Sequence, residues 1–185
     1  MDLFRVFDWD GVSLGADDGG PLFVARDRQG AGRHDNPADY GAWYCARTAT
    51  SAIAETIQAF RGQSLSDDDF ERPDGRRRSL VSFRLDDTVR LVDLDDPRQL
   101  VSRRLRPSQI ATLRRATTQQ IAAALFREGA AGLSWWSTLD ADWTNVTLFR
   151  ERVSRSLAIA APPQPLSTAD ADLRQAAERL GVYVE

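Results

Sequence analysis

The chain has 185 residues, 42% of them hydrophobic, with a formal net charge of −3. That length suits one domain with a sizeable core, and the apolar share excludes a disordered chain. The weakly negative balance excludes a global electrostatic pull toward nucleic acid, and no apolar run approaches the ~20 residues of a membrane span.

In chain order, Leu3 to Trp9 (LFRVFDW) alternates along its length and predicts a strand with Leu3, Arg5 and Phe7 on one face. The start carries acidic residues and no basic region before an apolar core, so no signal peptide is read and a cytoplasmic protein is expected. Pro21 to Ala25 is a second short strand candidate, and Ala42 to Ala46 (AWYCA), apolar on both faces, predicts a central strand. Thr50 offers an N-cap for a helix ending at Gly62, with Ile53, Ile57 and Phe60 as its stripe. Gln63 to Arg78 reads as a long polar loop, in which Arg76-Arg77-Arg78 after Pro73-Asp74-Gly75 is a turn with solvated charges. Two strands follow, Ser79 to Leu85 and Val89 to Leu94, then a short helix over Pro97 to Leu105 and helical territory from Pro107 to Gly129. Gly132 to Trp136, Asn145 to Phe149 and Val153 to Ala161 read as strands. Pro162 to Pro165 reads as a stiff linker, and Ser167 or Thr168 caps a last helix closed by Gly181. Clustered strands with a few helices predict an α+β fold in a single domain.

One cysteine, Cys45, excludes an internal disulfide; with one histidine, His34, it leaves two soft ligands where zinc usually takes four, so no metal site is expected. All 24 basic residues are arginine, so every cation is a planar fork suited to carboxylate or phosphate. No G-x-G-x-x-G, Walker loop, H-E-x-x-H or G-x-S-x-G is present. What remains are single polar residues beside apolar segments. Arg5 shares a face with Leu3 and Phe7, where an arginine needs a partner or an edge from which to snorkel. Arg33 follows Gly30-Ala31-Gly32, a setting for a loop charge or for an anion approached closely by backbone. Tyr44 is a core tyrosine or lines a pocket. Glu55 lies about 200° from Ile53 on a helical wheel, on the solvent side unless Ala52 and Ala59 make a second, small-residue face. Ser137, leaving the Trp-rich strand, is a turn serine or a ligand-binding hydroxyl.

In order and spacing these residues resemble the RES domain family, the toxin half of RES–Xre toxin–antitoxin pairs, named for an arginine, a glutamate and a serine. Phe4-Arg5-Val6 matches its opening strand, Gly32-Arg33 its glycine–arginine loop, and Trp43-Tyr44-Cys45-Ala46 its tyrosine strand. Ala52-Ile53-Ala54-Glu55 matches the glutamate helix; Gly132, Trp136, Ser137, Asn145 and Val146 to Phe149 match the closing segment. Arg33 to Tyr44 and Tyr44 to Glu55 are eleven residues apart each. The family often has Gly-Gly-Arg-Trp-Asn, whereas this chain has Ala31-Gly32-Arg33-His34-Asp35, with Asn36 one place late.

The resemblance implies an ADP-ribosyltransferase-like fold with mixed or antiparallel sheets. It implies a catalytic domain over 1–161, with 162–185 a linker and a helix packed on it. It further implies an NAD+ glycohydrolase or phosphorylase that cleaves the nicotinamide–ribose bond. NAD+ is then a substrate, and no other cofactor is expected. Arg33, Glu55 and Ser137 are the expected catalytic residues, with Arg5, Arg33, Tyr44 and Ser137 binding NAD+. The expected partner is an Xre-type antitoxin, with no direct contact to nucleic acid or membrane. An ADP-ribosyltransferase acting on protein or nucleic acid, and a non-catalytic interaction module, are the alternatives.

Overall fold

A computed structural model describes residues 1–185. In chain order the elements are β1 (Asp2–Trp9), β2 (Ala42–Ala46), α1 (Ala49–Ile57), β3 (Ser64–Leu65), β4 (Arg77–Leu85), β5 (Val92–Asp93), α2 (Pro97–Ser102), α3 (Pro107–Ile110), α4 (Arg115–Arg127), β6 (Gly132–Trp136), β7 (Thr144–Phe149), α5 (Arg150–Val153), β8 (Leu157–Pro165), α6 (Ala171–Leu180) and β9 (Tyr183–Val184). The class is α+β, as expected, with mostly antiparallel strands and flanking helices. The chain divides into two compact units.

The first unit comprises Met1, Val24–Cys45 and Leu85–Leu157. Its strands run in the order β5-β6-β7-β2, with β5 parallel to β6 and β6 antiparallel to β7. Gly132 is required at the start of β6, because a Cβ there would lie 2.4 Å from the Thr147 carbonyl of β7. Leu133 and Trp135 of β6, Leu125 and Ile121 of α4, and Tyr40 and Phe149 form one buried cluster. The helical territory expected from Pro107 to Gly129 is broken between Ile110 and Arg115. Carbonyls of that break accept hydrogen bonds from the side chain of Arg33 instead of continuing a helix. The helix expected over Pro97 to Leu105 ends at Ser102, where Arg104 turns into the left-handed region (φ 55°) and Leu105 N donates back to Leu100 O. The strand expected over Val89 to Leu94 is reduced to Val92–Asp93, paired with Leu133 and Ser134 of β6.

The second unit comprises Asp2–Phe23, Ala46–Arg84 and Ala158–Glu185. Its strands run β1-β4-β8, with a separate parallel pair β3-β9. Alternate residues of β4 are buried, the period of a half-covered strand. Its antiparallel register sets Leu3 opposite Phe83 and Arg5 opposite Val81. Helix α1 packs on α6. Its cap is Thr48, which accepts from Ser51 N, rather than Thr50. Thr50 instead sits inside the helix and donates to Asp172 of α6 at 2.7 Å. Pro21 to Ala25 is not a strand: the Pro21 and Phe23 carbonyls are taken by the Arg5 guanidinium. Val153 ends α5, and β8 runs from Leu157 through Pro165, so the segment read as a linker is strand. Its place at the end of the strand order tolerates the missing N–H groups. The cap of α6 is Asp170 rather than Ser167 or Thr168. Gly181 closes that helix in the left-handed conformation (φ 69°), as expected. The Arg76 to Arg78 run is paired with acids, Arg76 with Asp18 and Asp74, Arg77 with Glu71, and Arg78 with Asp8.

Candidate functional site

In the first unit the loop from Gly30 to Asn36 is tied down by its own polar groups. Asp35, only 6% exposed, uses one carboxylate oxygen, Oδ2, to accept from Gly30 N (2.8 Å) and Gly32 N (2.7 Å). Its other oxygen, Oδ1, accepts the Tyr44 hydroxyl at 2.6 Å. Gly32 has no room for a side chain: a Cβ there would lie 2.6 Å from both Asp35 Oδ1 and Tyr44 Oη. Helix α4 holds the loop from the outside. Gln119 Nε2 donates to the Gly30 and Gly32 carbonyls, Thr118 Oγ1 donates to the Arg33 carbonyl, and Asn36 Nδ2 donates to Gln119 O.

Arg33 is buried. Its Nη1 donates to Ile110 O (3.0 Å) and Thr112 O (2.9 Å), and its guanidinium lies 4.9 Å over the Trp135 ring. It is therefore not a solvated loop charge. It is a fixed guanidinium whose position depends on the break between α3 and α4.

His34 is also buried, with Nδ1 2.8 Å from Thr147 Oγ1 and its ring edge-on to Trp135. Burial, helped by the positive charges of Arg33 and Arg115, pushes its pKa down to about 3. The imidazole is neutral near pH 7 and is not poised there as a general acid or base. Tyr44 stacks on His34, and its oxygen accepts from His34 N at 2.8 Å while its proton goes to Asp35. Burial first, then the Asp35 carboxylate, drives the phenol well above its ordinary pKa.

Ser137, directly after β6, is 2% exposed. Its N–H donates to Trp143 O (2.7 Å), and its hydroxyl oxygen accepts from Leu139 N (3.1 Å). The turn role read from sequence is thus present. Asn145, opposite Trp135 in the β6–β7 ladder, is buried as well.

The second unit carries the other two candidates. Arg5 is half-buried on β1; its Nη1 donates to Pro21 O (3.0 Å) and Phe23 O (3.1 Å), and its guanidinium lies 5.8 Å over the Phe7 ring. Strand β1 is paired with β4 on one side, and on the other its Phe4 pairs with Ala46 of the same unit, so Arg5 does not snorkel from an edge. Glu55 is half-buried in α1 and accepts from Gln58 Nε2 at 3.2 Å. Ala52 beside it is buried, in line with a second face of small residues. Ala59 is exposed instead, because the helix tightens to a 3₁₀ turn from Gln58.

Structure therefore brings Arg33 and Tyr44 into one network of the first unit, which also holds Ser137, and sets Arg5 on β1 and Glu55 on α1 of the second. Sequence reading gave Asp35 only as the residue standing where the family often has asparagine, and missed Thr118 and Gln119 as supports of that network. The signal for Asp35 was its place two residues after Arg33, where the family often has asparagine. Thr118 and Gln119 sit more than eighty residues away and left no local sign. No group of three or more His, Cys, Asp or Glu is placed to hold a metal ion.

The fold is that of a mixed-sheet α+β domain with an arginine-bearing loop beside a tryptophan strand. The RES domain family model matches residues 11–172, and the chain belongs to that family. Among solved structures, the chain is similar to one described as the crystal structure of the M. tuberculosis MbcT–MbcA toxin–antitoxin complex. The TM-score is 0.66 at 16% identity, covering 97% of this chain and 88% of that one. A comparison with curated proteins finds no match.

Proposed function

We propose that this chain degrades NAD+ by cleaving the nicotinamide–ribose bond, as the toxin of a toxin–antitoxin pair. The observation that carries the reading is membership of the RES domain family over residues 11–172, a span that contains Arg33, Tyr44, Glu55 and Ser137, with Arg5 just before it. The structural neighbour is a toxin bound to its antitoxin, which supports a protein inhibitor as partner here too. NAD+ in the cytoplasm is the expected target.

The chemistry suits these residues. The glycosidic bond breaks with its electron pair going to the nicotinamide nitrogen, which loses its positive charge and leaves as neutral nicotinamide. No general acid is required, in keeping with a buried, neutral His34. Positive charge develops on the ribose, as in glycoside hydrolysis, and a carboxylate facing it stabilises the transition state; Glu55 has that role. An oxygen of water or of inorganic phosphate then bonds to the anomeric carbon, and water releases its proton to solvent. Arg5 and Arg33 supply forks for the pyrophosphate. Both are already fixed by carbonyls and an aromatic ring, so little side-chain freedom is left to lose on binding. Ser137 orients the nicotinamide half of the substrate.

The test is incubation of purified protein with NAD+, with and without phosphate, followed by identification of the products. Nicotinamide with ADP-ribose marks the glycohydrolase, and nicotinamide with phosphorylated ADP-ribose marks the phosphorylase. NAD+ left intact under both conditions would overturn the reading.

A further inference from the structure

We infer that Asp35 is a positioning residue: its carboxylate fixes the Gly30–Asn36 loop with one oxygen and takes the Tyr44 hydroxyl proton with the other, so that Tyr44 offers a bound substrate its ring and no hydroxyl donor. The inference deepens the NAD+ reading and rests on it for its kinetic test.

The geometry leaves little choice in where the proton lies. The Tyr44 oxygen has a backbone donor, His34 N, at 2.8 Å and a carboxylate oxygen, Asp35 Oδ1, at 2.6 Å. A carboxylate only accepts and an N–H only donates, so the phenol must accept from His34 and donate to Asp35. Asp35 Oδ2 is meanwhile shared by the Gly30 and Gly32 N–H groups. One side chain thus couples the backbone that carries Arg33 to the ring of Tyr44. Gly32 is packed against both partners so closely that no side chain fits between them. His34, linked to Tyr44 by stacking and by its N–H, continues the network to Trp135, over which Arg33 lies. Where this chain has Asp35, the family often has asparagine. An asparagine there accepts the two glycine N–H groups through its oxygen, which turns its NH2 toward the Tyr44 hydroxyl. Two donors then face each other, and the phenolic proton must point elsewhere. The aspartate specifies the direction of that proton.

Asp35→Asn separates the two jobs, since it is nearly isosteric and keeps an acceptor for the glycines. In steady-state NAD+ cleavage it should raise KM roughly 5- to 30-fold, the size of one well-placed polar interaction. The kcat should move by less than about 3-fold, because the chemistry is not touched. In a Tyr44→Phe background, Asp35→Asn should add nothing further to KM, because Asp35 acts on the substrate through the Tyr44 hydroxyl. A purely structural aspartate would instead lower kcat and stability together and add to Tyr44→Phe. Wild-type KM in Asp35→Asn, or additive effects in the double variant, would overturn the inference.

Should the wild type leave NAD+ intact, the functional reading falls, and amide hydrogen exchange of the ligand-free protein judges the inference alone. In Asp35→Asn the His34 amide should then exchange faster while Gly30 and Gly32 stay protected. Unchanged exchange at His34 would overturn it.

Discussion

Glu55 carries the heaviest chemical demand on a single side chain. Glu55→Gln keeps its shape and removes the charge that, in the proposed reaction, faces the developing cation. The expected loss in kcat is about 10²–10³-fold, the size of one preorganised electrostatic contact. Thermal unfolding should change little, since Glu55 is half-buried and accepts from Gln58 one turn away; near-normal turnover would return Glu55 to an ordinary surface role. Arg33→Lys should fail despite keeping the charge. An ammonium cannot hold the Ile110 and Thr112 carbonyls, lie flat on Trp135 and present a planar fork at once. Kinetic constants equal to wild type would contradict that role. His34 sets a pH dependence of a definite sign. Its folded pKa lies near 3 against an ordinary 6.5, so the unfolded chain binds a proton that the folded chain refuses. The stability this group contributes is full above about pH 6.5 and is lost as pH falls toward its folded value, at up to about 1.4 kcal/mol per pH unit. Between pH 6.5 and 5, above the range where carboxylates dominate, Tm should fall with acidification in the wild type and fall less in His34→Gln. Equal slopes would show that His34 is not the group responsible.

At the scale of elements, what counts is how the Gly30–Asn36 loop and the start of α4 hold each other. Thr118 caps the Arg33 carbonyl, so Thr118→Val should leave that buried acceptor without its donor. The expected cost is about 1–3 kcal/mol of stability, with turnover falling because Arg33 shifts; an unfolding midpoint equal to wild type would contradict the contact. The same clamp explains what was hidden in the sequence. Strands β1, β2, β6 and β7 were legible because each shows period-two alternation or an apolar run that one chain segment decides by itself. The break after α3 was not, because the reason for it is Arg33, nearly eighty residues upstream. Pro21 to Ala25 has the apolar content of a strand, but the carbonyls of Pro21 and Phe23 are occupied by Arg5. Prolines 162, 163 and 165 argued for a linker, and only the position of β8 at the end of the strand order shows why a strand accepts them. For the candidate site, Arg33 and Tyr44 were readable from spacing and Asp35 from its place where the family often has asparagine, whereas its bonds to Gly30, Gly32 and Tyr44 depend on a fold that brings the loop to β2.

For the whole molecule, the proposal makes a demand on the cell as well as the test tube. Expressed alone, the wild-type chain should stop growth and lower cellular NAD+, and Arg33→Ala should relieve both together, provided the variant accumulates in soluble form. Growth arrest with undisturbed NAD+ would move the weight to ADP-ribosylation of a macromolecule. No helix is long and apolar enough to cross a membrane. The most direct measurement is the amount of nicotinamide released from NAD+ per molecule of purified protein, with no protein or nucleic acid acceptor added. The expected result is many equivalents for the wild type and about 10²–10³-fold slower release for Glu55→Gln. No release by the wild type, or equal release by both, would contradict the account.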